Sequence, residues 1–133
     1  MSPFQEKLFK KEYAHQLLLI AQSDLRCAKI LAESKEERKV NTLYLAQQSL
    51  EKAIKAVLCW NGLPIPLSHD IGILLTKLPD SIQCPINPEL NDLTQYATIK
   101  RYLEGFEIDT NEEVVHIIHE VESAIEWCQL KIK

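Results

Sequence analysis

The segment from Asn41 to Asn61 constrains the fold more than any other part of the chain. Leu43, Ala46, Leu50, Ala53, Ile54, Val57 and Leu58 recur at helical spacing and form a broad apolar stripe. Leu45, Ser49 and Ala56 add a second, mostly small stripe. With Trp60, the apolar surface then covers more than half of the circumference. A helix this apolar lies at the centre of a bundle or shares a face with a second copy of the chain. Asn61-Gly62 ends it, and Pro64 and Pro66 keep the following chain extended.

Four further helices are predicted around it. The first opens at Ser2-Pro3-Phe4-Gln5, where serine and Gln5 make a capping box and proline takes the first helical position. It runs to about Glu33 with Ala14, Leu17, Leu18, Ala21, Leu25, Ala28 and Ala32 on one face, and a charged connector, Ser34–Lys39, follows. A short third helix is capped by Ser68 and carries Ile71, Leu74, Leu75 and Leu78 at i, i+3, i+4, i+7. Pro79, Pro85 and Pro88 punctuate a loop before a fourth helix from about Glu89 to Tyr102. The last opens on a second capping box, Thr110-Asn111-Glu112-Glu113. It turns Val114, Ile117, Ile118, Val121, Ile125, Cys128 and Ile132 inward. No strand pattern, repeat or internal boundary interrupts this order, so the expectation is one all-α, five-helix domain over residues 1–133.

Composition narrows function chiefly by exclusion. Only 3 glycines argue against a glycine-rich phosphate loop. A formal net charge of −4 predicts no general affinity for nucleic acid, so any such role needs a local basic patch. Cys27, Cys59, Cys84 and Cys128 form no C-x-x-C pair and are read as reduced thiols of a cytoplasmic protein. The charged start, Met1–Lys11, is unlike a signal peptide, and the apolar run Leu17–Ala21 is far too short to span a bilayer.

Polar residues set into the apolar stripes mark the places where chemistry can reside. Asp24, Gln47 and Arg101 each continue an inward row on a different helix. A buried charge or amide needs partners, so either the three share one polar cluster with Asp24 and Arg101 as an ion pair, or their tips reach water at helix edges. On the opposite side of the central helix Gln48, Lys52, Lys55 and Cys59 line up. They form either a solvated charged face or one that holds a phosphate or acidic partner, and Glu51 is placed to pair with Lys55. His69-Asp70 stands at a helix start, where an anion can meet free N–H groups, although Asp70 also serves there simply as a first-turn acid. Glu112, His116, His119 and Glu120 cluster on the last helix. Ile117-Ile118 splits the histidines, and a solvated acidic face is favoured over a metal site. No metal or cofactor is expected.

The run Ala46-Gln47-Gln48-Ser49-Leu50-Glu51-Lys52-Ala53-Ile54-Lys55-Ala56 resembles the helix-2 signature of HEPN domains (higher eukaryote and prokaryote nucleotide-binding). Asp24-Leu25 with Ala28 and Leu31, Pro66-x-x-His69-Asp70, and Arg101-Tyr102 resemble the flanking patterns, so that the likeness spans about Tyr13 to Cys128. The resemblance implies an up-and-down five-helix bundle, commonly a homodimer. It also implies a small nucleotidyltransferase as partner protein, in a system resembling toxin–antitoxin pairs. Members that cleave RNA without metal carry Arg, four to six residues, then His. After Arg101 the three allowed positions hold Phe106, Glu107 and Ile108, so this sequence departs from that motif. No catalytic residue is assigned on that basis. The resemblance points instead to nucleotide or RNA binding, with Gln48, Lys52, Lys55, His69, Asp70, Arg101 and Tyr102 as ligand contacts. The competing expectation is a metal-independent RNase in which His69 works with Arg101 from outside the usual spacing. His would move the 2′-OH proton and Arg would stabilise the phosphorane charge.

Overall fold

A computed structural model describes residues 6–34, 38–97 and 111–132. Its axis is helix α2, Lys39–Trp60, with 14 of 22 residues buried, enough to be enclosed on nearly every side. Ser49 and Ala56 of the small stripe are as buried as Leu50 and Ile54, while Leu45 is half-buried against the same core. α2 ends in a Schellman turn. Leu63 N–H donates to Leu58 O at 3.0 Å and Gly62 N–H to Cys59 O at 3.1 Å. Gly62 takes φ +71°, which is why glycine is needed there, since a Cβ at this point would meet nothing.

Helix α1, Tyr13–Glu33, packs along α2 and buries Ala14, Leu17, Leu18, Ala21, Leu25 and Ala28. Its fully buried alanines, Ala14, Ala21 and Ala28, recur every seven residues and permit close approach of the two helices. The helix begins far later than expected. Glu6–Lys7 forms strand β1, which pairs antiparallel with strand β2, Ile65–Pro66, in the register Glu6↔Pro66 and Lys7↔Ile65. The expectation of no strand is corrected by this short ladder. Lys10-Lys11-Glu12 offers no apolar face to continue the α1 stripe, and tertiary pairing beside α2 outweighs the local capping signal, whose residues 2–5 lie outside the described chain. Cys59 Sγ anchors the segment by donating to Lys10 O at 3.2 Å.

Helix α3, Ile71–Thr76, is capped by Asp70, whose Oδ1 accepts from Ile73 N–H at 3.1 Å. Ser68, the expected cap, acts one step earlier by accepting from Asp70 N–H at 3.0 Å. The fourth helix is a 3-10 helix, η1, Pro88–Ala97, where an α-helix was expected. Asn87 starts it, its Oδ1 accepting from Glu89 N–H and its carbonyl from Leu90 N–H. Leu90 and Leu93, both 2% exposed, point inward at the i, i+3 spacing that a three-residue turn brings to one side. Thr94 Oγ1 accepts from Ile71 N–H at 3.0 Å and so joins η1 to the start of α3.

Helix α4, Asn111–Lys131, packs against α2 and α1 through Val114, Ile118, Val121, Ala124, Ile125 and Cys128. Ile117, expected inward, is only half-buried. Glu112 and Glu113 in the first turn and Lys131 in the last complement the helix dipole. The result is an up-and-down bundle of five helices among the described residues, four α and one 3-10. None of these helices is long and apolar enough to cross a membrane.

Candidate functional site

One row of α2 breaks its own apolar pattern. Gln47, Glu51 and Lys55, four residues apart, lie on one side, with Gln48 and Lys52 beside them. Gln47 is 0% exposed and its amide is satisfied on both ends. Nε2 donates to His69 O at 2.8 Å and to Glu51 Oε1 at 3.3 Å, while Oε1 accepts from Gln48 Nε2 at 2.9 Å. Lys52 Nζ donates to Gln48 Oε1 at 2.9 Å and meets Asp24 Oδ2 at 3.4 Å, carrying the chain of contacts to α1.

Glu51 is the hub. Its side chain is only 4% exposed, and Lys55 Nζ reaches Oε2 at 2.9 Å, with Lys55 itself 13% exposed. His69 Nδ1 lies 3.0 Å from Oε1. A buried carboxylate with ammonium, imidazole and amide partners is fully solvated by the protein, as burial of its charge demands. The sequence predicted the Glu51–Lys55 pair but not this central position. The signal was available in the row Gln47–Glu51–Lys55 running beside the apolar stripe.

His69 is brought to α2 by the connection between β2 and α3. The prolines straighten the chain, β1 holds Ile65–Pro66 in place, and the Asp70 cap fixes the exit. Gln47 then holds the His69 carbonyl and Glu51 the ring, so both its backbone and its side chain are tied to one helix. The ring is nevertheless 64% exposed. With the Nδ1 proton shared with Glu51, Nε2 is the atom left for a second partner. Lys52 and Lys55 balance Asp24 and Glu51, so the cluster is neutral with neutral imidazole and gains one positive charge when His69 is protonated.

The expected residues therefore divide. Gln47, Gln48, Lys52, Lys55 and His69 come together in one network, and Asp24 joins it through Lys52. The freely solvated lysine face is corrected: both ammonium groups are engaged, and Cys59, expected on the same outer side, is 1% exposed under Lys10. The reason is that the leader before α1 and the β2–α3 connection cover that side of α2. Asp70 stands next to the cluster, with Oδ1 engaged in capping α3. Gly72 keeps that carboxylate close, since a Cβ there would come within 3.2 Å of Oδ1. Arg101 and Tyr102, and with them the expected Asp24–Arg101 pair, lie outside the described residues.

Elsewhere, His116 Nε2 lies 3.8 Å from Glu120 Oε1. His119 instead lines a cleft of about 250 Å³ between α1 and α4 with Ala32, Val115 and Ile118, where Lys29 and Glu122 pair. Among the described residues no three metal-type ligands converge.

The HEPN domain model matches residues 14–132 of this chain. Among solved structures, the chain is similar to TT1696 from Thermus thermophilus, with a TM-score of 0.72 and 21% identity, over 90% of this chain and 98% of the other. It is also similar to ST0689, an archaeal HEPN homologue, with a TM-score of 0.67 and 24% identity, again over 90% and 98% of the two chains. No curated protein matches it.

Proposed function

Because the chain belongs to the HEPN domain family, we propose that the Glu51–His69 cluster is its ligand site and that the ligand is a nucleotide or RNA. The observation that carries this reading is a buried carboxylate holding an exposed imidazole by one nitrogen. Such an arrangement spends burial on orienting a group that faces water, which a purely structural histidine does not require. His69 Nε2, donating when the ring is protonated, contacts a phosphate oxygen. Lys52, Lys55 and Gln48 supply the electrostatic setting, and Asp70 holds the loop in place. Arg101 and Tyr102 belong to the same proposal on sequence grounds. The protein acts in the cytoplasm, which agrees with its four free cysteines.

In the same reading the chain forms a homodimer and pairs with a small nucleotidyltransferase in a toxin–antitoxin-like system. Leu19, Ile20 and Ile30 on the outer side of α1 are 58%, 41% and 68% exposed and offer apolar surface for a second copy. Titration calorimetry with nucleoside mono-, di- and triphosphates and with short RNAs tests the ligand. Binding that is lost in His69→Ala supports it, and heat-silent titrations across both sets refute it. Light scattering tests the dimer, and pull-down from the native host tests the partner.

The same observation favours a second reading, metal-independent RNA cleavage. A carboxylate behind an imidazole holds the tautomer that a general base needs. Cleavage of RNA in chelator, abolished by folded His69→Ala and Arg101→Ala proteins, would select it over binding alone.

A further inference from the structure

The chain entering α1 gathers rings and lysines around one carbonyl. Lys10 O accepts from Tyr13 N–H at 3.0 Å and from Cys59 Sγ at 3.2 Å, which sets the first turn of α1 against the last turn of α2. Phe9 and Tyr13 stack with ring centroids 4.9 Å apart and planes 20° from parallel, and Lys7 Nζ lies 5.2 Å from the Phe9 centroid. Next to Cys59, Lys11 Nζ lies 4.1 Å over the Trp60 ring, and the His15 ring meets Trp60 edge-on at 5.2 Å. Phe9 and Trp60 are half-buried against the core, while Tyr13 is 38% exposed and is the outer ring of its stack.

The lysines of this segment differ from those of the bundle. Lys29, Lys52, Lys55 and Lys77 each meet a carboxylate. Among the described residues no acid pairs with Lys7, Lys10 or Lys11, and all three are exposed. Glu6 is taken by Lys77 at 3.3 Å. That leaves Glu12 as the one unmatched acid of the segment and a local excess of two positive charges, on a chain whose formal charge is −4. A local basic patch is what any nucleic-acid role of so acidic a chain needs. Lys52 and Lys55 do not supply it, because Asp24 and Glu51 balance them.

We propose that this surface binds single-stranded nucleic acid, with phosphates on Lys7, Lys10 and Lys11 and a base stacked on Tyr13. An ammonium held over a ring keeps its N–H donors for a phosphate oxygen, and an exposed ring offers its face to any base. Interleaved rings and unpaired lysines suit an unpaired strand better than a duplex, whose base faces are already stacked on one another. Trp60 stands nine residues beyond Glu51 and half a turn around α2, so this surface is separate from the Glu51–His69 cluster. It functions whether or not that cluster takes a nucleotide.

Fluorescence anisotropy of a labelled, unstructured 12-nucleotide RNA with the full-length protein tests this, circular dichroism confirming that each variant is folded. The expected result is binding that weakens about fivefold or more in Tyr13→Ala and is kept in Tyr13→Phe. Lys7→Gln with Lys11→Gln weakens it further and flattens its salt dependence by about one unit of log–log slope. His69→Ala leaves it unchanged, and Tyr13→Ala leaves calorimetric binding of mononucleotides unchanged, so the two sites succeed or fail separately. The proposal is overturned if the RNA does not bind at low salt, or if its complementary duplex binds as tightly. Affinity that is lost in His69→Ala but intact in Tyr13→Ala also overturns it. So does RNA displacement by polyglutamate at equal charge, or equal binding to phosphatidylserine vesicles, since either reduces the surface to a patch for any polyanion.

Discussion

Removing the Glu51 carboxylate tests the description of α2 most directly. In Glu51→Ala the Lys55 ammonium, 13% exposed, loses its counter-charge, and the His69 ring and Gln47 amide each lose a contact. Breaking a buried pair from one side costs about 3–5 kcal/mol. The aliphatic stem of Lys55 lets its tip reach toward water, which reduces the expected loss to about 2–3 kcal/mol. For a chain of 133 residues this lowers Tm by about 10 °C. Glu51→Gln keeps an acceptor for the neighbouring donors and loses less, about 1–2 kcal/mol. Replacing both members of the pair, Glu51→Leu with Lys55→Met, removes the stranded charge and restores stability to within about 1 kcal/mol of the natural protein. Urea unfolding followed by far-ultraviolet circular dichroism measures all of these. If Glu51→Ala falls within about 0.5 kcal/mol of the natural protein, the carboxylate is solvated and the hub does not exist. A double variant that loses the sum of the two single changes refutes the pairing argument by the opposite route.

Other positions yield independent predictions. Gln47→Leu strands the His69 carbonyl and the Gln48 amide and lowers stability by about 1–3 kcal/mol in the same urea assay. Asp70→Ala removes the cap of a six-residue helix and costs about 1 kcal/mol, which Asp70→Asn largely restores. Leu50→Ala, at a site with 0% exposure, opens a cavity at the bundle axis and costs about 2–5 kcal/mol. Burial raises the Cys59 pKa, and contact with Cys84 and burial raise that of Cys128, so folding favours both neutral thiols. Stability is therefore intact below the unfolded thiol value near ~8.5 and declines as pH rises through the folded values, and Cys59→Ala reduces that decline in alkaline thermal melts.

The helices were legible where burial and periodicity agree. α2 was readable to within about two residues because Gly62 stops it through backbone geometry and its apolar positions recur from Val40 to Leu58. The start of α1 was misread because the capping box at Ser2–Gln5 is a local signal, while β1 is decided by pairing with Ile65–Pro66, nearly sixty residues away. η1 was read as an α-helix because Leu90 and Leu93 satisfy i, i+3 spacing in either helix type. The candidate site was half legible. Gln47 stood out as an amide in an apolar arc, but Glu51 was hidden because an acid four residues before a lysine is the ordinary pattern of a solvated face. Only the chain that packs over α2 makes that pair a buried one.

That burial poses a question that stability alone does not answer. Leucine and methionine in place of Glu51 and Lys55 would serve the core at least as well, and a sequence departs from such a choice chiefly where function or register requires it. In this fold the polar row holds His69 twice, by its carbonyl through Gln47 and by its ring through Glu51. The double variant separates the two requirements. Gln47 still fixes the loop in it, so the carbonyl contact and the bundle survive, while the imidazole loses the carboxylate that orients it. If the row exists to present His69, the double variant is as stable as the natural protein yet binds nucleotide or RNA about tenfold or more weakly, in line with the roughly 1.4 kcal/mol lost with one charge-assisted contact. If the row serves only to set the register of α2, the stable double variant keeps full affinity, and the assignment of Glu51 and His69 to a ligand site is withdrawn.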